Sequence, residues 1–149
     1  MSDYKNILLA LDLTEDAEQV IARALSISQG KDSTLHMIHV VEPISFAYGG
    51  DIPMDFSTIQ DDIQQQAKQQ LSALGLRHKI PAEQQHIVLG RPETEIHNVA
   101  EELDADVIVI GSHGRHGLAL LLGSTANSVL HGAKCDVLAV RVGTTTSST

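Results

Sequence analysis

Apolar residues return along this chain in two different rhythms. Ile7-Leu8-Leu9-Ala10-Leu11 and Val107-Ile108-Val109-Ile110 are continuous apolar runs, as in strands covered on both faces of a parallel sheet. Elsewhere apolar residues recur every three or four positions, the spacing of one helix face. Ala17, Val20, Ile21, Ala24, Leu25 and Ile27 form the first such stripe. Thr14 caps it, Glu15 and Asp16 place negative charge on its first turn, and Gly30 closes it. Thr34–Val41 reads as a second strand, with His36 and Ile38 on one face and Leu35, Met37 and His39 on the other.

A loop containing Pro43, Gly49, Gly50 and Pro53 leads to a Gln-rich helix over 57–74. Ile59, Ile63, Ala67 and Leu71 line it at four-residue steps, and Gly75 ends it. Gln85–Leu89 is a short strand and Gly90-Arg91-Pro92 a turn, with Pro92 suited to the first turn of the next helix. Ile96, Val99, Ala100 and Leu103 are that helix's apolar stripe. Val107 to Ile110 is the fourth strand. Residues 111–123 form a glycine loop with a short helical turn at 118–122. A helix follows over 124–131, and Asp136–Val142 is the last strand.

Strand and helix thus alternate through five strands. The pattern predicts one α/β domain over 1–143, followed by a polar tail over 144–149. It is a five-stranded parallel sheet with helices on both faces, of the doubly wound nucleotide-binding type, with right-handed crossovers. Ligands of such sheets sit beyond the carboxyl ends of the strands, at the switch point. Asp12, Val40-Val41 and Gly111 all fall at predicted strand ends, so three separate segments converge there.

Composition narrows the function. Of 149 residues, 42% are hydrophobic but only 3% aromatic. The core is therefore aliphatic, and there is little for single-stranded nucleic acid to stack on. A formal net charge of −9 opposes phosphate backbones, so DNA and RNA are not expected partners. Cys135 is the single cysteine. It permits no internal disulfide and reads as a buried small apolar residue. The start of the chain lacks a signal-peptide pattern, and no apolar run approaches the ~20 residues needed to span a bilayer. A cytoplasmic protein without membrane insertion is expected.

The candidate chemistry lies in Gly111-Ser112-His113-Gly114 and Gly123-Ser124-Thr125. Strand, glycines, then helix N-terminus is an arrangement that cradles phosphate, because free amides and the helix dipole favour an anion. Glycine lets the backbone approach closely and can take positive φ. A Gly-Lys-Ser/Thr sequence is absent, which excludes a standard P-loop. The first strand ends in Asp12-Leu13-Thr14, which excludes the dinucleotide glycine fingerprint. Plainer roles stand beside these: a tight turn at Gly111 and Gly114, helix capping by Asp12 beside Thr14, and an N-cap at Ser124. Eight histidines invite a metal, yet their spacing matches no standard ligand set, and His36 and His39 point to opposite strand faces. No metal site is expected. His113 and Arg115 read as phosphate contacts, interface contacts or solvated side chains. No Gly-x-Ser-x-Gly elbow is present, so the chain reads as a binding module and not an enzyme.

These glycine segments, with Asn6-Ile7-Leu8-Leu9-Ala10-Leu11-Asp12 at the start, His39-Val40, and Asp136-Val137-Leu138-Ala139-Val140-Arg141 at the end, resemble the universal stress protein family over nearly the whole chain. The resemblance implies a stress-response or signalling module that binds ATP or AMP between the first and fourth strands, with Mg²⁺. It also implies a homodimer joined near Asp136–Val142. By motif position, Asp12 would lie near adenine and ribose, with the backbone at Ala10, Leu11 and Val40 addressing sugar and base. Gly111 and Gly114 would border ribose and phosphate, and Gly123, Ser124 and Thr125 would hold the distal phosphates. The family motif is Gly-x2-Gly-x9-Gly-Ser/Thr, whereas here only eight residues, Arg115 through Leu122, separate Gly114 from Gly123. The family also has a branch that lacks the glycines and does not bind ATP. The alternative reading is therefore a dimer of that kind, acting by protein interaction.

Overall fold

The computed structural model describes residues 4–28, 33–43, 56–113 and 124–142. Five strands form one parallel sheet: β1 (Asn6–Ala10), β2 (Thr34–Val41), β3 (Gln85–Leu89), β4 (Val107–His113) and β5 (Asp136–Val142). Their spatial order is β3-β2-β1-β4-β5. The order reverses between β1 and β4, so the switch point lies where the pattern of runs placed it. Among the described residues four α-helices cover the sheet: α1 (Ala17–Ser28), α2 (Phe56–His78), α3 (Pro92–Leu103) and α4 (Ser124–Gly132).

β1 and the Val107–Ile110 stretch of β4 are buried on both faces, as their uninterrupted apolar runs require. Ile7, Leu9, Val107 and Val109 pack with Ala17, Val20, Ile21 and Ala24 of α1 and Leu71 and Leu74 of α2. Leu8, Ala10, Ile108 and Ile110 pack with Ile96, Val99 and Ala100 of α3 and Val129 of α4. Successive residues of β1 and β4 therefore serve opposite layers. At the other end of these strands, the Asp106 carboxylate accepts the backbone N–H groups of Lys5 and Asn6 at 2.8 and 2.9 Å. It fixes the register of β1 against β4.

Several details depart from the expectations. Leu25 is 40% exposed. The face of α1 that meets the sheet is Ala17, Val20, Ile21, Ala24 and Ser28, and Leu25 lies beside that stripe. Ile59 and Ile63 are also exposed, and only from Ala67 onward does α2 bury its stripe. Gly75 does not end α2. The stop comes at Lys79 (φ 60°), and Ile80 N–H returns to the Gly75 carbonyl at 2.8 Å, a Schellman closure. Gly75 instead admits a close neighbour: an added Cβ would collide with the Gln85 amide and approach the Ile80 carbonyl oxygen to 2.7 Å.

β4 runs three residues past Ile110, because its pairing with β5 continues through Gly111, Ser112 and His113. Residues 111–113, expected in the glycine loop, therefore belong to the strand. Cys135 is half-buried, at the border of the α3–α4 layer, and burial followed by the nearby Asp136 and Asp106 pushes its thiol pKa up. Pro92 does open α3, and Asp104 closes it in a left-handed conformation. The expected helix end at Gly30, the turn at 118–122 and the polar tail lie outside the described residues. Among the described residues no helix is long and apolar enough to cross a membrane.

Candidate functional site

The carboxyl end of β1 is held from both sides. Ala10 pairs with Ile38 of β2 and with Ile110 of β4. Leu11, one residue past the strand, still donates its N–H to the Ile38 carbonyl at 2.9 Å. The Leu11 carbonyl lies 2.7 Å from His39 Nδ1. A carbonyl only accepts, so Nδ1 carries the hydrogen in this contact. His39 thus ties the end of β2 to the chain leaving β1. The histidine spacing argument did not find this contact. A polar ring on an otherwise apolar strand face was the available signal, since such a group needs a partner.

The chain then turns sharply. Leu13 takes φ 61°, an uncommon conformation for a branched residue. The Asp12 carboxylate supports it, with Oδ1 accepting from the Thr14 N–H at 3.1 Å and from the Thr14 hydroxyl at 2.8 Å. Thr14 Oγ1 in turn accepts the Asp16 N–H at 3.1 Å, and the Thr14 carbonyl accepts the Ala17 N–H at 2.9 Å. Asp12 and Thr14 therefore build the entrance to α1 as a relay, as the capping expectation held. Asp12 nevertheless stays exposed, at the mouth of the switch point.

Val40 stands next to last in β2, paired with Val88 and at the edge of the α3–α4 layer. Gly111 lies inside β4 opposite Val140, so it does not form a tight turn. A Cβ there would stand 3.2 Å from Val20 Cγ2 and 3.5 Å from Val142 Cγ1. The missing side chain lets α1 and β5 close over the end of β4. Gly114 and Gly123 lie outside the described residues, as do Arg115 and His116. Ser124 and Thr125 are the first two residues of α4. A helix that returns from β4 to the parallel β5 runs against the strands, so its N-terminus faces their carboxyl ends.

The switch point thus gathers Ala10–Asp12, Val40, Gly111 and the start of α4 at one end of the sheet. It offers one exposed carboxylate and a helix N-terminus. That is equipment for holding a polar, anionic ligand. Among the described residues, no three His, Cys, Asp or Glu side chains are placed to share a metal ion.

This combination defines a doubly wound α/β domain with its crevice at the β1/β4 switch. Comparison with known proteins names the class. The profile of the Universal stress protein family matches residues 3–141. Universal stress protein A homolog 1 of Coxiella burnetii is 42% identical over 139 residues, covering 92% of this chain and 96% of that one. The chain belongs to the universal stress protein family. Among solved structures, hypothetical protein MJ0577 superposes with a TM-score of 0.78 at 24% identity, over 95% of this chain and 99% of that one. A universal stress protein in complex with cAMP superposes with a TM-score of 0.60 at 24% identity, over 93% and 98%.

Proposed function

We propose that this protein is an ATP-binding stress-response module with little or no hydrolysis, acting in the cytoplasm. The observation that carries the reading is the convergence of Ala10–Asp12, Val40, Gly111 and the α4 N-terminus at the β1/β4 switch point. Adenine and ribose lie against the ends of β1 and β2, at the backbone of Ala10, Leu11 and Val40. Asp12 accepts from a ribose hydroxyl or reaches Mg²⁺ through water. The phosphates extend past Gly111 and Gly114 toward Gly123, Ser124 and Thr125, where free amides and the helix dipole offset their charge. Mg²⁺ travels with the nucleotide and relieves the repulsion from a chain of net charge −9. The related structure holding cAMP supports an adenine nucleotide as the ligand class.

Calorimetric titration with MgATP and with AMP tests the reading. One nucleotide per chain is expected, with affinity reduced at least tenfold in Asp12→Ala. No heat and no thermal shift at millimolar MgATP would remove the proposal.

A second reading is a dimer that works by protein interaction without nucleotide. The position of β5 at the edge of the sheet favours this reading, because an edge strand can pair with a second copy. Val137 and Leu138 on it are partly exposed. Sedimentation at two concentrations, with and without MgATP, separates the readings: a nucleotide-independent dimer that takes up no ATP supports the second.

A further inference from the structure

We propose that His36 and His86 form a two-histidine site for a borderline divalent cation, such as Zn²⁺ or Ni²⁺, bridging β2 and β3. The two residues are 50 positions apart in sequence, and the sheet brings them together. Met37 stands opposite Gln85 and Ile38 opposite His86, so His36 lies diagonally across from His86 on the same face. Diagonal neighbours of this kind are within reach for long side chains. His36 Nδ1 and His86 Nε2 are 3.4 Å apart. That is long for a hydrogen bond. It matches the separation of two nitrogens on one tetrahedral ion, roughly 3.3 Å for metal–nitrogen bonds of about 2.0–2.1 Å.

The surroundings suit a cation. The ring centroids lie 5.5 Å apart with a tilt of 32°, so the imidazoles are not stacked face to face. Both rings are half-buried, which limits their rotamers while leaving one side open to water. Burial, then His86, pushes the His36 pKa down, and burial does the same at His86. Both shifts favour the neutral form, in which one facing nitrogen carries the hydrogen of this contact; a cation takes that place when the ring holds its hydrogen on its other nitrogen. Glu102 of α3 acts on His86 in the opposite sense, favouring positive charge. A cleft of about 520 Å³ lies further along the same sheet face, bordered by Val88, two residues after His86, and by Glu95, Asn98 and Glu102. Among the described residues no third His, Cys, Asp or Glu joins the cluster. Water completes the coordination, and a two-point site of this kind binds reversibly. Imidazole pairs favour zinc, nickel and copper over magnesium or calcium.

The test is calorimetric titration of chelator-stripped, full-length protein with ZnCl₂ and NiCl₂. One ion per chain is expected at this site, with affinity falling at least tenfold in both His36→Gln and His86→Gln. His131→Gln, at the exposed end of α4, should keep the parent affinity. A paramagnetic readout on the unmodified protein does not depend on the variants folding: substoichiometric Ni²⁺ should broaden the amide signals around residues 36 and 86 first. Unchanged affinity in both glutamine variants, broadening centred on other histidines, or no uptake at millimolar metal would each overturn the proposal.

Discussion

His39 Nδ1 donates to the Leu11 carbonyl at 2.7 Å, joining the carboxyl end of β2 to the first residue beyond β1. The contact acts where the two strands deliver their peptide groups to the switch point. Removing the ring leaves a carbonyl to be satisfied by water. His39→Ala should destabilise the domain by about 1–2 kcal/mol, measured by urea unfolding. If the crevice holds nucleotide, MgATP affinity should also fall. His39→Asn, which keeps a donor, should recover part of both losses.

Gly111 and Val20 make a second constraint on the same end of the sheet. The 3.2 Å approach of an added Cβ to Val20 Cγ2 is tight enough that the neighbour must move. Gly111→Val should therefore cost about 1–3 kcal/mol by overpacking. Val20→Ala in the same chain should return part of it, a coupling that a double-mutant cycle reads directly. Additive effects would show that the glycine serves something other than this contact.

Asp106 holds two backbone N–H groups of the β1 entry. Asp106→Ala removes the acceptor of both, one bond exposed and one part-buried, and should lower stability by about 0.5–1.5 kcal/mol per bond. Because the carboxylate sits at the opposite end of the sheet from the switch point, ligand affinity should change only through stability. Hydrogen exchange at Lys5 and Asn6 should accelerate in the variant.

The histidine pair makes stability depend on pH. Burial lowers the folded-state pKa of His36 and of His86 below the ordinary value of 6.5. The unfolded chain then binds more protons than the folded one between those values, so stability rises with pH across the window. The contribution is present above pH about 6.5 and is lost as pH falls through the folded pKa values. Thermal melts in EDTA should show a midpoint that drops on the acid side of 6.5, and the drop should flatten in His86→Gln. An unchanged pH profile in that variant would show that the pair does not carry the effect.

Much of the architecture was legible because it rests on burial. Uninterrupted runs such as Ile7–Leu11 occur only where both faces of a strand are covered, and four-residue recurrences such as Ile96–Val99–Ala100–Leu103 mark one buried helix face. What misled was glycine. Gly75 and Gly111 read as breakers from local conformational freedom alone. Both are small because something distant comes close, Gln85 in one case and Val20 in the other. Sequence spacing also cannot register contacts between separate strands, so the His39–Leu11 bond and the His36–His86 pair emerged only with the sheet assembled. Asp12 was readable in part: its capping role follows from Thr14 two residues on.

Equilibrium dialysis of the purified protein against labelled MgATP at millimolar concentration tests the central claim most directly. The account predicts about one bound nucleotide per chain, displaced by unlabelled ATP and weakened by Asp12→Ala. No retained label at saturation, from protein that is folded by circular dichroism, would contradict it.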